Sequence, residues 1–247
     1  MLNMPDTIEF KRGAVQPTEC LRAGWALIKD QYWLFVGMCL VAMLIGSAVP
    51  FGILMGPMMC GIYMSLFQRR RGQPVEFGLV FKGFDFLGES IIATLIHVIP
   101  VFVIIVPFYI AFYIGLFLVM PRGGEPDSGS LLAFFGLFFV FLVFVLVLVI
   151  VISVLFTFTY PLIVDRRLSG VNAVKLSIRA AMANFWQLLG LLFMTSALGI
   201  VGVFLCYVGV FLVFPVTFSA MAMAYEQVFG IGHVQSAPMP PPPPTFT

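Results

Sequence analysis

Apolar residues fall in long unbroken runs along this chain, and polar positions punctuate the runs rather than alternating with them. Runs at about 33–49 and 52–68 come first. Each is near the lower limit of roughly 17 residues at which a helix crosses a bilayer. Pro50 and Gly52 form a tight turn between them, and Arg69, Arg70, Arg71 and Gly72 end the second. Two longer runs follow at about 88–120, containing Pro100 and Pro107, and at about 131–164, on either side of a polar loop over Pro121–Asp127. As a straight helix each would measure about 50 Å against about 30 Å of hydrocarbon. Neither has room for two spans and a turn. Each therefore predicts one tilted or kinked helix with an end beyond the bilayer. Runs at about 187–204 and 207–229 bring the spans to six.

Between the runs lie amphipathic stretches. Residues 1–16 are polar and read as a flexible segment, after which Pro17, Thr18 and Glu19 start a helix. Leu21, Trp25 and Ile28 form one stripe of it, with Arg22 and Lys29 elsewhere. Over 74–87, Phe77, Val80, Phe81, Phe84 and Leu87 fall at helical spacing beside Glu76, Lys82 and Asp85. Over 165–186, Lys175 and Arg179 share one face while Val174, Ile178, Met182 and Phe185 share another. All three predict helices lying on the membrane surface. Pro238 and Pro240 to Pro244 make 231–247 a disordered proline-rich tail of polyproline II character.

Composition rules out a soluble fold. Hydrophobic residues are 61% of the 247 and charged residues 10%, against about 25% charged in soluble domains, and mean hydropathy is +1.08. Net charge is only +2, which implies no nucleic-acid partner. Placement of charge is more informative. With six spans, every Lys and Arg of the 13 except Arg122 falls on one side. The positive-inside rule then puts both termini in the cytoplasm. No removable signal peptide is visible. Cys20, Cys39, Cys60 and Cys206 make no C-x-x-C pair and read as small buried hydrophobes.

Glu19–Gly46 aligns with Asn172–Gly199 at a constant offset of 153. Arg22 meets Lys175, Trp33 meets Trp186, Gly37 meets Gly190 and Gly46 meets Gly199. With five extra residues in the second outer turn, Pro57 meets Pro215 and Phe67 meets Tyr225. The expected fold is an all-α integral membrane domain over 17–230 with a parallel internal repeat. Copies 19–72 and 172–230 each hold a surface helix and a hairpin, and flank a long central hairpin over 88–164. Close-packing glycines, small-x-x-x-small pairs and the interfacial Trp33 and Trp186 fit that picture.

Gly56-Pro57-Met58-Met59-Cys60-Gly61-Ile62-Tyr63, then Arg71-Gly72 and Phe81-Lys82-Gly83-Phe84, are one part of a bacterial pattern. Tyr160-Pro161-Leu162-Ile163-Val164-Asp165-Arg166, Ala173, Ser177 and Asn184-Phe185-Trp186 are the other. Over about 17–230 the chain resembles uncharacterised multi-pass families related to the membrane domain of bacterial glycerophosphodiester phosphodiesterases. The resemblance implies a bacterial inner-membrane location. In those enzymes a separate barrel does the chemistry; these 247 residues hold none, so the activity is not expected here.

With only His97 and His233 as histidines, the usual metal and triad constellations are nearly excluded, and no cofactor is indicated. Three candidate sites remain. Glu89 and His97, eight residues apart on one helix face, form a polar intramembrane pair that is either a functional site or an interfacial acid and a packed imidazole. Pro57 and Pro215 are matched helix interruptions, which mark either a transporter site or packing kinks. Arg69, Arg70, Arg71, Lys175 and Arg179, with Asp165 and Arg166 nearby, are either lipid-headgroup contacts or topology signals with an ion pair. The expected function is a non-enzymatic membrane protein that scaffolds partners or organises lipids. The alternative is a small-solute or lipid transporter with its site between the repeats. The expected partners are the bilayer, its anionic headgroups, and a protein partner or a second copy.

Overall fold

The structure, a computed structural model, describes residues 8–48, 52–119, 128–204 and 208–231. The turn at Pro50, the loop Pro121–Asp127, Cys206, His233 and the proline-rich tail lie outside the described residues. Every regular element described is helical: α1 (Pro17–Ile28), α2 (Tyr32–Ala48), α3 (Met55–Arg70), a 3-10 segment (Phe77–Phe86), α4 (Leu87–Val119), α5 (Ser128–Leu155), α6 (Thr159–Arg166), α7 (Gly170–Ala183), α8 (Phe185–Phe204) and α9 (Val208–Phe229). Five stretches are long and apolar enough to cross a membrane: Pro17–Ala48, Phe77–Phe117, Ser128–Arg166, Phe185–Phe204 and Gly209–Phe229. The run at 52–68 yields α3, whose 16 residues reach only about 24 Å.

Three hairpins, α2–α3, α4–α5/α6 and α8–α9, form a ring. The 3-10 segment packs on α3 and leads into α4; α7 packs on α6 and leads into α8. The third junction is closed without a covalent link, because α1 packs along α9 before leading into α2. Glycine makes two of these contacts close. A Cβ on Gly24 of α1 would sit 2.7 Å from the Ala220 nitrogen of α9. A Cβ on Gly61 of α3 would collide with the Val80 carbonyl, and one on Gly83 with the Pro57 carbonyl. Ser219 and Ala220 lie ten and nine residues before Phe229, the end of α9, so α1 docks about 14 Å in from that end. The connecting elements therefore pack backbone-close against α3 and α9.

Burial takes Ile28, Val80 and Val174 from the expected apolar faces but leaves large members of those faces exposed. On α1 the buried stripe is Cys20, Gly24 and Ile28, and Trp25 is left 47% exposed. On α7 the buried residues include Ala173, Ser177, Ala180 and Ala181, while Met182 faces outward. Within the stretch 74–87, Phe77–Phe86 is a 3-10 helix, so Val80, Gly83 and Phe86 share its buried side at a spacing of three. Phe77, Phe81 and Phe84 remain exposed. Close backbone approach demands small side chains, and large apolar ones lose nothing by facing lipid tails.

The central runs differ from each other. Helix α4 is unbroken for 33 residues through Pro100 and Pro107. The second run, expected as one tilted or kinked helix, is a single candidate span interrupted between α5 and α6. Pro161 has no N–H to offer the Thr157 carbonyl, and Ser177 of α7 enters the break. Its hydroxyl donates to the Leu155 carbonyl (2.8 Å) and accepts from the Phe158 amide (3.2 Å). Phe108 stacks on Phe138 and Phe141, and Phe112 on Phe134, to hold α4 against α5.

Candidate functional site

Helices α3, α6 and α9 end together, and each end carries basic residues or accepts bonds from them. Arg70 makes a two-pronged bond to Glu226 of α9, Nε–Oε2 2.8 Å and Nη2–Oε1 2.9 Å. That carboxylate raises the guanidinium's affinity for its proton. Arg71 lies 3.1 Å from Asp165 of α6, whose side chain is fully buried. Asp165 also meets Arg166 Nε at 3.3 Å and accepts the Tyr225 hydroxyl at 2.9 Å. Arg166 in turn donates to the Phe229 carbonyl at the end of α9 (3.1 Å). Arg69 reaches Asp30, 3.0 Å away, and the Leu27 carbonyl beside α2. The three consecutive arginines thus clamp three different elements, and basic groups at helix C-termini complement the helix dipoles.

A strap crosses this end. Residues 8–16 are held down, although their polar composition predicts a loose segment. The Lys11 amide donates to the Val228 carbonyl (2.9 Å), Val15 is buried, and Phe10 packs on Phe229. Buried Asn184, at the end of α7, is the clasp. Its Oδ1 accepts from Ala14 N, and its Nδ2 donates to the Lys11 and Ala180 carbonyls. Sequence reading missed this role: a lone polar residue beside Phe185 and Trp186 announces nothing until the strap arrives.

The other candidate residues are placed as follows. Glu89, in the first turn of α4, accepts the backbone N–H of Gly170 and so caps α7 from a neighbouring helix. His97 is half-buried with its ring 4.6 Å from that of Phe156. The pair is held by different partners. Pro57 stands third in α3, where a missing N–H costs nothing, whereas Pro215 lies inside α9. Near that interruption the Tyr32 hydroxyl donates to the Leu212 carbonyl at 2.6 Å. The two prolines therefore sit in different local structures. Lys175 and Arg179 are on the exposed face of α7. Arg69, Arg70 and Arg71, read from sequence as headgroup contacts, are engaged with protein carboxylates.

Two cavities open on the apolar belt. One, of about 370 Å3, lies between α4 and α5 and is lined by Pro107, Phe108, Phe112 and Phe138 among others. The second, of about 360 Å3, lies between α1 and the α8–α9 hairpin. Both have almost wholly apolar walls. Among the described residues no group of three or more His, Cys, Asp or Glu is placed to hold a metal ion. No family model, curated protein or solved structure matches the chain. The resemblance to the phosphodiesterase membrane domain therefore gains no support from them. What stands is a chain with several helices suited to a membrane.

Proposed function

We propose that this is a non-enzymatic, six-span protein of the bacterial inner membrane that organises lipid, with both termini in the cytoplasm. The observation that carries the reading is the division of chemistry. The charged groups of the clamp pair with one another, the cavities are apolar and face the bilayer, and Lys175, Arg22 and Lys29 stay exposed at the basic end. Such groups each favour anionic lipid by about 1 kcal/mol near a membrane surface. In this reading α3 is a sixth, short span, and the bilayer thins locally to meet it.

We also infer the parallel repeat. Trp33 and Trp186, which align, are 74% and 78% exposed, as interfacial anchors are. Aligned Gly37 and Gly190 are both approached by the first residue of a connecting element, Phe77 and Pro17 respectively. A transport reading requires a polar route between the copies. The aromatic pairs Phe67–Tyr225 and Tyr63–Phe218 occupy that contact between α3 and α9, which favours the lipid reading.

Extraction into polymer-bounded native membrane discs tests it. The discs should be enriched in anionic lipid relative to the surrounding membrane, and Lys175→Gln with Arg179→Gln should reduce that enrichment. A lipid composition equal to the bulk, or pH-dependent solute flux in proteoliposomes that Glu89→Gln abolishes, would overturn the reading.

A further inference from the structure

Helix α1 carries three adjacent stripes. Cys20, Gly24 and Ile28 are buried, largely against α9. Next round the helix, Leu21 and Trp25, with Tyr32 just beyond, line the groove of about 360 Å3. Beside that stripe, at 100° per residue, come Arg22 and Lys29, both exposed. The groove's far side is the α8–α9 hairpin, where Gly202 and Gly209 meet backbone to backbone. A Cβ on Gly202 would lie 2.8 Å from the Gly209 carbonyl carbon, so the absent side chain lets α8 and α9 close the groove's floor. The Tyr32 hydroxyl is spent on the Leu212 carbonyl, so the ring offers the groove an apolar face. Asp30, the acid beside Lys29, is drawn to Arg69.

We propose that this groove seats one acyl chain of an anionic phospholipid, whose headgroup phosphate is held by Arg22 and Lys29. The inference deepens the lipid-organising reading and rests on it. The volume falls within the range of about 300–1,000 Å3 usual for ligand pockets. Apolar walls select a chain, and the two cations, about 10 Å apart along α1, select a negative head. The groove extends from α1 along the halves of α8 and α9 next to the turn joining them, so a chain anchored at Arg22 and Lys29 runs toward the bilayer centre. Trp25, at the junction of charge and groove, has the amphipathic ring favoured at headgroup level.

Trp25 is also the reporter. In full-length protein carrying Trp33→Phe and Trp186→Phe it is the sole tryptophan of the 3 in the chain. The protein is reconstituted in phosphatidylcholine vesicles with a minor fraction of lipid brominated on its chains, either phosphatidylglycerol or phosphatidylcholine. Brominated phosphatidylglycerol should quench Trp25 as though enriched around it. Arg22→Gln and Lys29→Gln should each reduce that enrichment by about fivefold, the factor equivalent to about 1 kcal/mol per basic group. Val201→Phe, which fills the groove and spares both cations, should also remove the excess quenching. Equal quenching by the two lipids would overturn the proposal, as would enrichment that survives both charge substitutions. Relief of quenching by inorganic phosphate would overturn it too, by pointing to a soluble ligand. If Trp25 shows no preference while the discs remain enriched through Lys175 and Arg179, the groove fails and the wider lipid reading stands.

Discussion

Phe67 of α3 and Tyr225 of α9 lie with ring centroids 5.4 Å apart, although 158 residues separate them. The same tyrosine sends its hydroxyl to Asp165 of α6. One side chain therefore joins the three helices whose ends form the clamp, by its ring on one side and its oxygen on another. The buried carboxylate of Asp165, between Arg71, Arg166 and Tyr225, is the polar centre of that junction.

Removing that carboxylate should be the most damaging single change in the clamp. Asp165→Ala removes the acceptor shared by Arg71, Arg166 and Tyr225, a loss of about 1–3 kcal/mol. Asp30→Ala, whose side chain is 62% exposed, should cost less than about 1 kcal/mol. Unfolding of both variants in mild detergent checks the ranking, and equal stability would remove Asp165 from the centre.

Close docking predicts intolerance at specific glycines. Gly61→Leu places a side chain where the Val80 carbonyl lies, and Gly24→Leu does the same against the α9 backbone. Both should separate the connecting element from its helix and reduce the yield of folded protein. Gly78→Ala meets nothing within 4 Å and should be silent. Size-exclusion profiles and protease resistance read the difference.

Glu89 is predicted to act as a cap. Glu89→Gln keeps an acceptor for the Gly170 amide and should be nearly neutral, while Glu89→Ala should cost about 1 kcal/mol, as lost helix caps do. A proton-relay role reverses the expectation: activity would then suffer in Glu89→Gln as much as in Glu89→Ala. His97→Phe should retain stability through ring contact with Phe156.

Ser177 is predicted to hold the α5–α6 break. In Ser177→Ala the Leu155 carbonyl and the Phe158 amide each lose a partner, at about 1–3 kcal/mol. Hydrogen exchange should rise at residues 155–159 specifically; protection unchanged there would count against the splice.

Topology can be read with single cysteines in a cysteine-free background. Glu76→Cys and Lys175→Cys should react with an impermeant maleimide from the cytoplasmic side, and Ser128→Cys from the opposite side. Labelling of Glu76→Cys and Ser128→Cys from the same side would reject the six-span arrangement.

The sequence by itself determined that the chain is helical and built for lipid, because runs of this length and polarity have no other stable arrangement in water or membrane. It also located the basic segments and the end of the second run at Arg69–Arg71, but not the break before Pro161. Trp33 and Trp186, expected from sequence to need no partner from the fold, are both largely exposed. Which residues of each connecting helix make its closest contacts was only partly legible: Ile28, Val80 and Val174 of the apolar stripes are buried, Trp25 and Met182 are not. Hydropathy ranks Trp25 and Met182 above Gly24 and Ser177, yet the tertiary structure buries the small residues, since lipid already solvates the large ones and only small ones let backbones touch. The clamp and the Asn184 clasp were equally hidden. Most of their partners lie 39–173 residues apart in the chain, and only the packing of the ring brings Arg69, Arg70 and Arg71 to Asp30, Glu226 and Asp165.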